Sequence, residues 1–240
     1  MGGGCTMKIL SATKEDMSLY GKAPTSCDVY AIHVEVDDVN NRVNEMISLI
    51  SDKSWIGQLG VVEKKAYMAR AEPTIKKIVK EVLAEIDNEF TKEIGEYMVT
   101  DSAQAALEQQ YGHKKVPYAE LWKEQKSGNP GFDFHTESKA QLIAFGEAKY
   151  RSGEYAHSAA MKQIANFIIL KKDDMELSDL QNFVGKDSID NALAGKKAYV
   201  AAFSVNTDPL ETMKKALASS KIDALLSCEE LYLIGVTIRA

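Results

Sequence analysis

Three charged side chains sit where strand geometry would let them act together. In Q-L-I-A-F-G-E-A-K-Y, Glu147 and Lys149 lie two positions apart at the end of an apolar run. On a strand both would leave by the face of Phe145, with Gly146 and Ala148 on the other. Upstream, in N-P-G-F-D-F-H, Asp133 lies between Phe132 and Phe134. A strand there would hold Asp133 opposite two aromatics that belong in the core. A carboxylate and an ammonium are thereby aimed at one place, with a second carboxylate at a fixed edge. Carboxylate oxygens suit hard divalent cations, and an ammonium suits developing negative charge.

Glu-x-Lys alone is common, and it reads equally as a same-face ion pair on an exposed strand, with Asp133 a turn residue. Three features set this segment apart: the apolar run before Glu147, the G-F-D-F context upstream, and a helix directly after. The elements that must position the trio follow from periodicity. Ser127 to Gly131 reads as a turn, followed by strands over 132–135 and 142–150. Small and apolar residues from Tyr155 to Leu170 predict a helix that packs closely on a sheet. Helices near 177–184 and 189–193, a strand over 198–205, a helix over 209–219 and a strand over 230–238 complete this part.

Earlier, 28–36 reads as a strand, and Asp37 and Asp38 offer caps for a helix that runs to about Ile50. Residues 57–71 are ambiguous. From Glu72 a long helix is expected to reach Tyr111, with Pro73 in its first turn and bends at Gly95 and at Thr100 to Ser102. The order is that of a mixed α/β sheet with helices on its faces, in one domain of 240 residues.

Composition constrains the setting. The net charge of −6 is the opposite of what a stand-alone nucleic-acid binder shows. Either a local basic groove is hidden within an acidic whole, or another subunit captures the nucleic acid. Cys5, Cys27 and Cys228 are far apart in sequence, form no C-x-x-C pair and suggest no disulfide frame or zinc site. The start M-G-G-G-C-T matches a myristoylation pattern, but nothing polybasic follows. With no secretory signal and no long apolar stretch, the expected location is cytoplasmic, without membrane contact.

The Gly-preceded acidic residue, the run L-I-A-F-G and the E-A-K that ends it resemble the PD-(D/E)XK nuclease superfamily. The likeness is specific over Gly131 to Tyr150 and extends, as an order of elements, from Gly95 to Val205. It implies a restriction-endonuclease-like mixed β-sheet flanked by helices, with a largely helical N-terminal half. Residues 95–240 would form the nuclease core, and 1–94 a strand and helical region suited to partner binding. By this resemblance Asp133 and Glu147 bind one or two Mg²⁺ ions, with Mn²⁺ able to substitute, and the carbonyl of Ala148 adds a ligand. Lys149 would orient or activate the attacking water, and a depressed pKa near the metal would let it act as the base.

Two supporting residues are implied by the same likeness. Glu96 matches an accessory carboxylate of the first core helix, although on an ideal helix it points away from the face of Phe90, Ile94, Tyr97 and Met98. Gln163, on the helix after Lys149, matches a glutamine found in some exonuclease members. His135 and His157 read as DNA contacts or surface imidazoles. Arg151, Lys162, Lys171 and Lys172 read as phosphate contacts or scattered surface cations. Within the superfamily the layout resembles HamA, the nuclease of Hachiman-type antiphage systems, which works on DNA with a helicase, HamB. A restriction endonuclease acting as a homodimer and a non-catalytic interaction subunit that keeps the fold are the other readings.

Overall fold

The computed structural model describes residues 6–87, 90–123, 131–151 and 155–239. Its centre is a seven-stranded mixed sheet. The strands are β1 (Met7–Glu15), β2 (Asp28–Val36), β3 (Lys114–Lys115), β4 (Phe134–Glu137), β5 (Ile143–Lys149), β6 (Ala198–Ser204) and β7 (Glu230–Ile238). Across the sheet they run β1-β2-β7-β6-β5-β4-β3. The inner strands β2, β7, β6 and β5 are mutually parallel, and both edges are antiparallel. Parallel strands buried on both faces should be apolar throughout, and A-Y-V-A-A-F-S of β6 is buried at every position.

Eight helices among the described residues cover the sheet: α1 (Val39–Ser51), α2 (Val61–Lys77), α3 (Lys92–Tyr111), α4 (Ala119–Trp122), α5 (Ala156–Ile169), α6 (Lys172–Leu180), α7 (Lys186–Leu193) and α8 (Pro209–Ala218). On one face, α1 and α3 pack Met46, Ile50, Ile94 and Met98 against Ile32, Ala148, Val200 and Ile234. On the other, α5 packs Ala160, Met161, Ile164 and Phe167 against Phe145, Ala201 and Leu233. The first carboxylate caps read from sequence are in place, with Asp38 accepting from the N–H of Asn41 at 3.0 Å. None of these helices is long and apolar enough to cross a membrane.

The N-terminal half departs from expectation. It contributes two nine-residue strands, and β1 was not foreseen because it is an exposed edge strand with no apolar alternation. The expected helix from Glu72 to Tyr111 is interrupted. Helix α2 begins at Val61, after Gly60 and with Glu63 in its first turn, so Pro73 falls inside it rather than at its start. A π turn at Ile78–Val82 and a 3₁₀ turn at Leu83–Asp87 follow, and α3 restarts behind the Thr91 cap.

Neither expected bend exists in α3. Asp101 does not compete for its own backbone, because its carboxylate is held by Arg42 of α1 and by the Tyr118 hydroxyl at 2.7 Å. Cys27 and Cys228, remote in sequence, meet with sulfurs 3.4 Å apart where β2 and β7 begin, and both are free thiols. The N-terminal glycines, Cys5 and most of the expected turn, at 127–130, lie outside the described residues.

His113 ties the short edge to the centre: Nδ1 meets Thr136 Oγ1 at 2.8 Å and Nε2 meets the Tyr232 hydroxyl at 3.2 Å. Burial pushes its imidazole from 6.5 down to about 4. A base whose folded pKa is depressed contributes stability that is present above its unfolded value and lost as pH falls through the folded one. We expect acidification from pH 7.5 to pH 4 to remove roughly 3 kcal/mol through this group. Urea titrations should show that part of the pH dependence missing in His113→Gln.

Candidate active site

Strand β5 delivers Glu147 and Lys149 at its carboxyl end, on the face of Phe145, as period-two alternation requires. The antiparallel register that pairs Phe134 with Gly146 brings the preceding residue, Asp133, alongside Glu147. Asp133 itself precedes β4, in a bend, so Phe132 and Phe134 do not share a face: Phe132 packs on the α5 side and Phe134 on the α3 side. Strand alternation therefore does not set its direction. Its N–H donates to the Gly146 carbonyl at 2.9 Å, and its Oδ2 accepts from the Ala148 N–H at 2.8 Å.

Glu147 is fully buried. One of its oxygens pairs with the Lys149 ammonium, and the other, Oε2, is buried with no hydrogen-bond partner among the described residues, the Asp133 carboxylate being its charged neighbour. Burial pushes Glu147 well above the ordinary carboxylate range, and the neighbouring Asp133 charge adds to this. Asp133 is raised by burial as well, against the opposing pull of Lys149, the Ala148 N–H and Lys123. Burial alone would lower Lys149, but Glu147 and Asp133 outweigh it and its pKa is raised. Without a metal, these carboxylates hold Lys149 above the ordinary ammonium range.

The donor set suits a hard divalent cation. The buried Glu147 and the half-buried Asp133 carboxylates repel, one Glu147 oxygen is unpartnered among the described residues, and the Ala148 backbone carbonyl lies between Glu147 and Lys149 in the chain. Among the described residues no three His, Cys, Asp or Glu side chains converge as a metal-holding group. Asp133 and Glu147 would therefore hold a cation together with the Ala148 carbonyl and water, the mode usual for Mg²⁺.

Glu96 is closer to this chemistry than helical geometry implied. A cleft of about 360 Å³ between α3 and α4 is lined by Asp133 together with Lys92, Glu93, Glu96, Tyr97 and Glu120. Glu96 is among the charges that raise Asp133, and it pairs with Lys92 at 3.3 Å. Helix α3 approaches this closely because residue 95 is glycine: a Cβ there would overlap the Tyr150 ring, one residue beyond Lys149. Gln163 is partly buried on α5, and no hydrogen bond or ion pair joins it to the trio among the described residues.

His135 and His157 are buried, not surface imidazoles: His135 points from β4 into the α5-side core, and His157 lies on the inward face of α5. His135 sits edge-on to Phe145, and His157 packs on Phe203. Arg151 is exposed just beyond β5, Lys162 and Lys171 are exposed, and Lys172 is buried. Two residues without a sequence signal lie behind the site. The Lys123 ammonium senses Asp133 and Glu147, and it pairs with Glu176 of α6 at 2.6 Å. Both sit in polar runs far from the motif, and only the tertiary fold joins them.

The carboxylate pair generates a stability test. A carboxyl whose folded pKa is raised stabilises the fold below its unfolded value, near 4.5 for Glu147, and this contribution is lost as pH rises through the folded value. We expect the neutral isostere Glu147→Gln to be more stable than wild type at pH 7.5 in EDTA, by roughly 1–2 kcal/mol. The gain should vanish near pH 4.5, and a variant less stable at pH 7.5 would contradict the reading of the pair. No protein-family model matches this chain, and no curated protein matches it.

Proposed function

We propose that this chain is a Mg²⁺-dependent deoxyribonuclease with a restriction-endonuclease-like core, in which Asp133, Glu147 and Lys149 carry the hydrolysis of phosphodiester bonds. The observation that carries the reading is the buried Glu147 carboxylate, with an oxygen unpartnered among the described residues, set beside the half-buried Asp133 carboxylate and the Lys149 ammonium. Asp133, Glu147 and the Ala148 carbonyl would hold the cation. When bound, Mg²⁺ neutralises charge growing on the scissile phosphate and lowers the pKa of a bound water.

The chain's own groups divide the remaining work. Lys149, kept protonated by its carboxylate neighbours, donates to a phosphate oxygen or orients the attacking water. The Ala148 N–H fixes Asp133, so one oxygen of that carboxylate is already committed and its orientation is set before substrate arrives. Glu96 and Glu93 make the cleft acidic, which favours cations over bare DNA.

That acidity and the net charge of −6 support action with a partner that supplies the positive path for DNA. A helicase of the HamB kind fits this need, and the proposed role is the nuclease subunit of an antiphage complex. We expect Mg²⁺-dependent plasmid cleavage, by the chain alone or with an ATP-dependent helicase encoded beside it. Asp133→Ala, Glu147→Ala and Lys149→Ala should each lower the rate by about 100-fold or more. Undiminished cleavage in the Glu147 and Lys149 variants would refute the assignment. Discrete fragments from a homodimer acting alone would favour a restriction enzyme, and no cleavage with any partner would favour a non-catalytic subunit.

A further inference from the structure

Strand β4 begins only at Phe134, and ahead of it the sheet reaches the backbone through the Asp133 N–H, which donates to the Gly146 carbonyl of β5. The residue before, Phe132, is fixed by other contacts. The contacts there converge on Glu176, a buried residue of α6. Its Oε1 accepts from Lys123 Nζ at 2.6 Å and from the Phe132 N–H at 3.0 Å. Its Oε2 faces His135 Nε2 at 2.6 Å.

His135 is fully buried, and as a neutral ring it donates through Nε2 to Glu176 Oε2. The remaining Nδ1 is then a bare acceptor, in keeping with its lack of a partner. Glu176 thus receives three donors, the arrangement that keeps a buried carboxylate ionised. Burial alone would raise it, but His135 and Lys123 bring it below the ordinary range.

Lys123 closes the clamp by donating also to the Phe132 carbonyl. The N–H of Phe132 is therefore held by Glu176, its C=O by Lys123, and the next N–H, that of Asp133, by Gly146. Three successive backbone groups are fixed just before the Asp133 side chain departs. The fit depends on Gly131, where a Cβ would overlap the Glu176 carboxylate.

We infer that Glu176 is a positioning residue: through Lys123 and Phe132 it holds Asp133 at Glu147 and thereby sets the affinity of the pair for a divalent cation it does not touch. The inference rests on the metal-site reading above. Its chemistry is that of an outer hydrogen-bonding layer, which orients ligands and whose loss commonly weakens metal binding 10–100-fold.

Mn²⁺ titration followed by calorimetry and by the EPR signal of free Mn²⁺ tests this without an activity assay. Glu176→Gln keeps an acceptor for Lys123 and Phe132 but removes the negative charge, so binding should weaken less than in Glu176→Ala. Glu176→Ala, with an unchanged circular dichroism spectrum, should bind about 10–100-fold more weakly. Because that variant strands a buried ammonium, the double variant Lys123→Met with Glu176→Met removes the ion pair whole and should also lose about tenfold or more.

Wild-type affinity in either folded clamp variant would overturn the inference, as would equal loss in Glu176→Gln and Glu176→Ala. A wild type that binds no Mn²⁺ would instead remove the metal site itself, and the inference with it, so the two failures are told apart.

Discussion

Setting two carboxylates side by side, Glu147 buried and Asp133 half-buried at a cleft, is the most demanding constraint in this molecule, and much of the surrounding structure can be understood as its compensation. Asp133 and Glu147 are both pushed toward their protonated forms by burial, and each charge adds to the other's difficulty. Lys149 pairs directly with Glu147, the Ala148 N–H is spent on Asp133, and the Lys123 ammonium acts on both. These contacts still leave Glu147 Oε2 without a hydrogen-bond partner among the described residues. A fold optimised only for stability would replace such a pair with apolar side chains. Its place beside an acidic cleft is the observation on which the proposed cation site rests.

The sheet explains why this pair can be held with precision. Strand β5 has β6 on one side and β4 on the other, so Glu147 sits on a backbone bonded along both edges. Its carboxyl end, where parallel strands commonly present ligands, is where Lys149 and Tyr150 emerge. The two helical layers meet there: α3 presses in over Gly95, and α6 reaches the opposite side through Glu176. The site is thus built on rigid elements, with Asp133 the member that needs extra anchorage.

What the sequence disclosed follows from how strongly each element is patterned. The run from Leu142 to Lys149 is buried on both faces almost to its end, and its strand and the shared side of Glu147 and Lys149 were legible. Asp133 was identified, but not its bend, because alternation places Phe132 and Phe134 together only if a strand continues through them. Edge strand β1 is mostly exposed and carries no pattern to read. Asp101 was misread as a break because its partners, Arg42 and Tyr118, come from elsewhere in the fold. Glu176 and Lys123 were invisible for the same reason.

The acidity of the chain has a local counterpart in the Glu93, Glu96 and Glu120 lining of the cleft beside Asp133. Such a lining attracts cations and repels anions, and under the proposed function a divalent cation would have to bind before a phosphate backbone could approach. The most direct test is a crystal grown with saturating Mn²⁺ and measured at a wavelength that gives manganese anomalous scattering. The account requires a peak between the carboxylates of Asp133 and Glu147, within bonding distance of Glu147 Oε2. An empty site at saturating Mn²⁺, with the Lys149 ammonium still on Glu147 and both carboxylates unmoved, would contradict it.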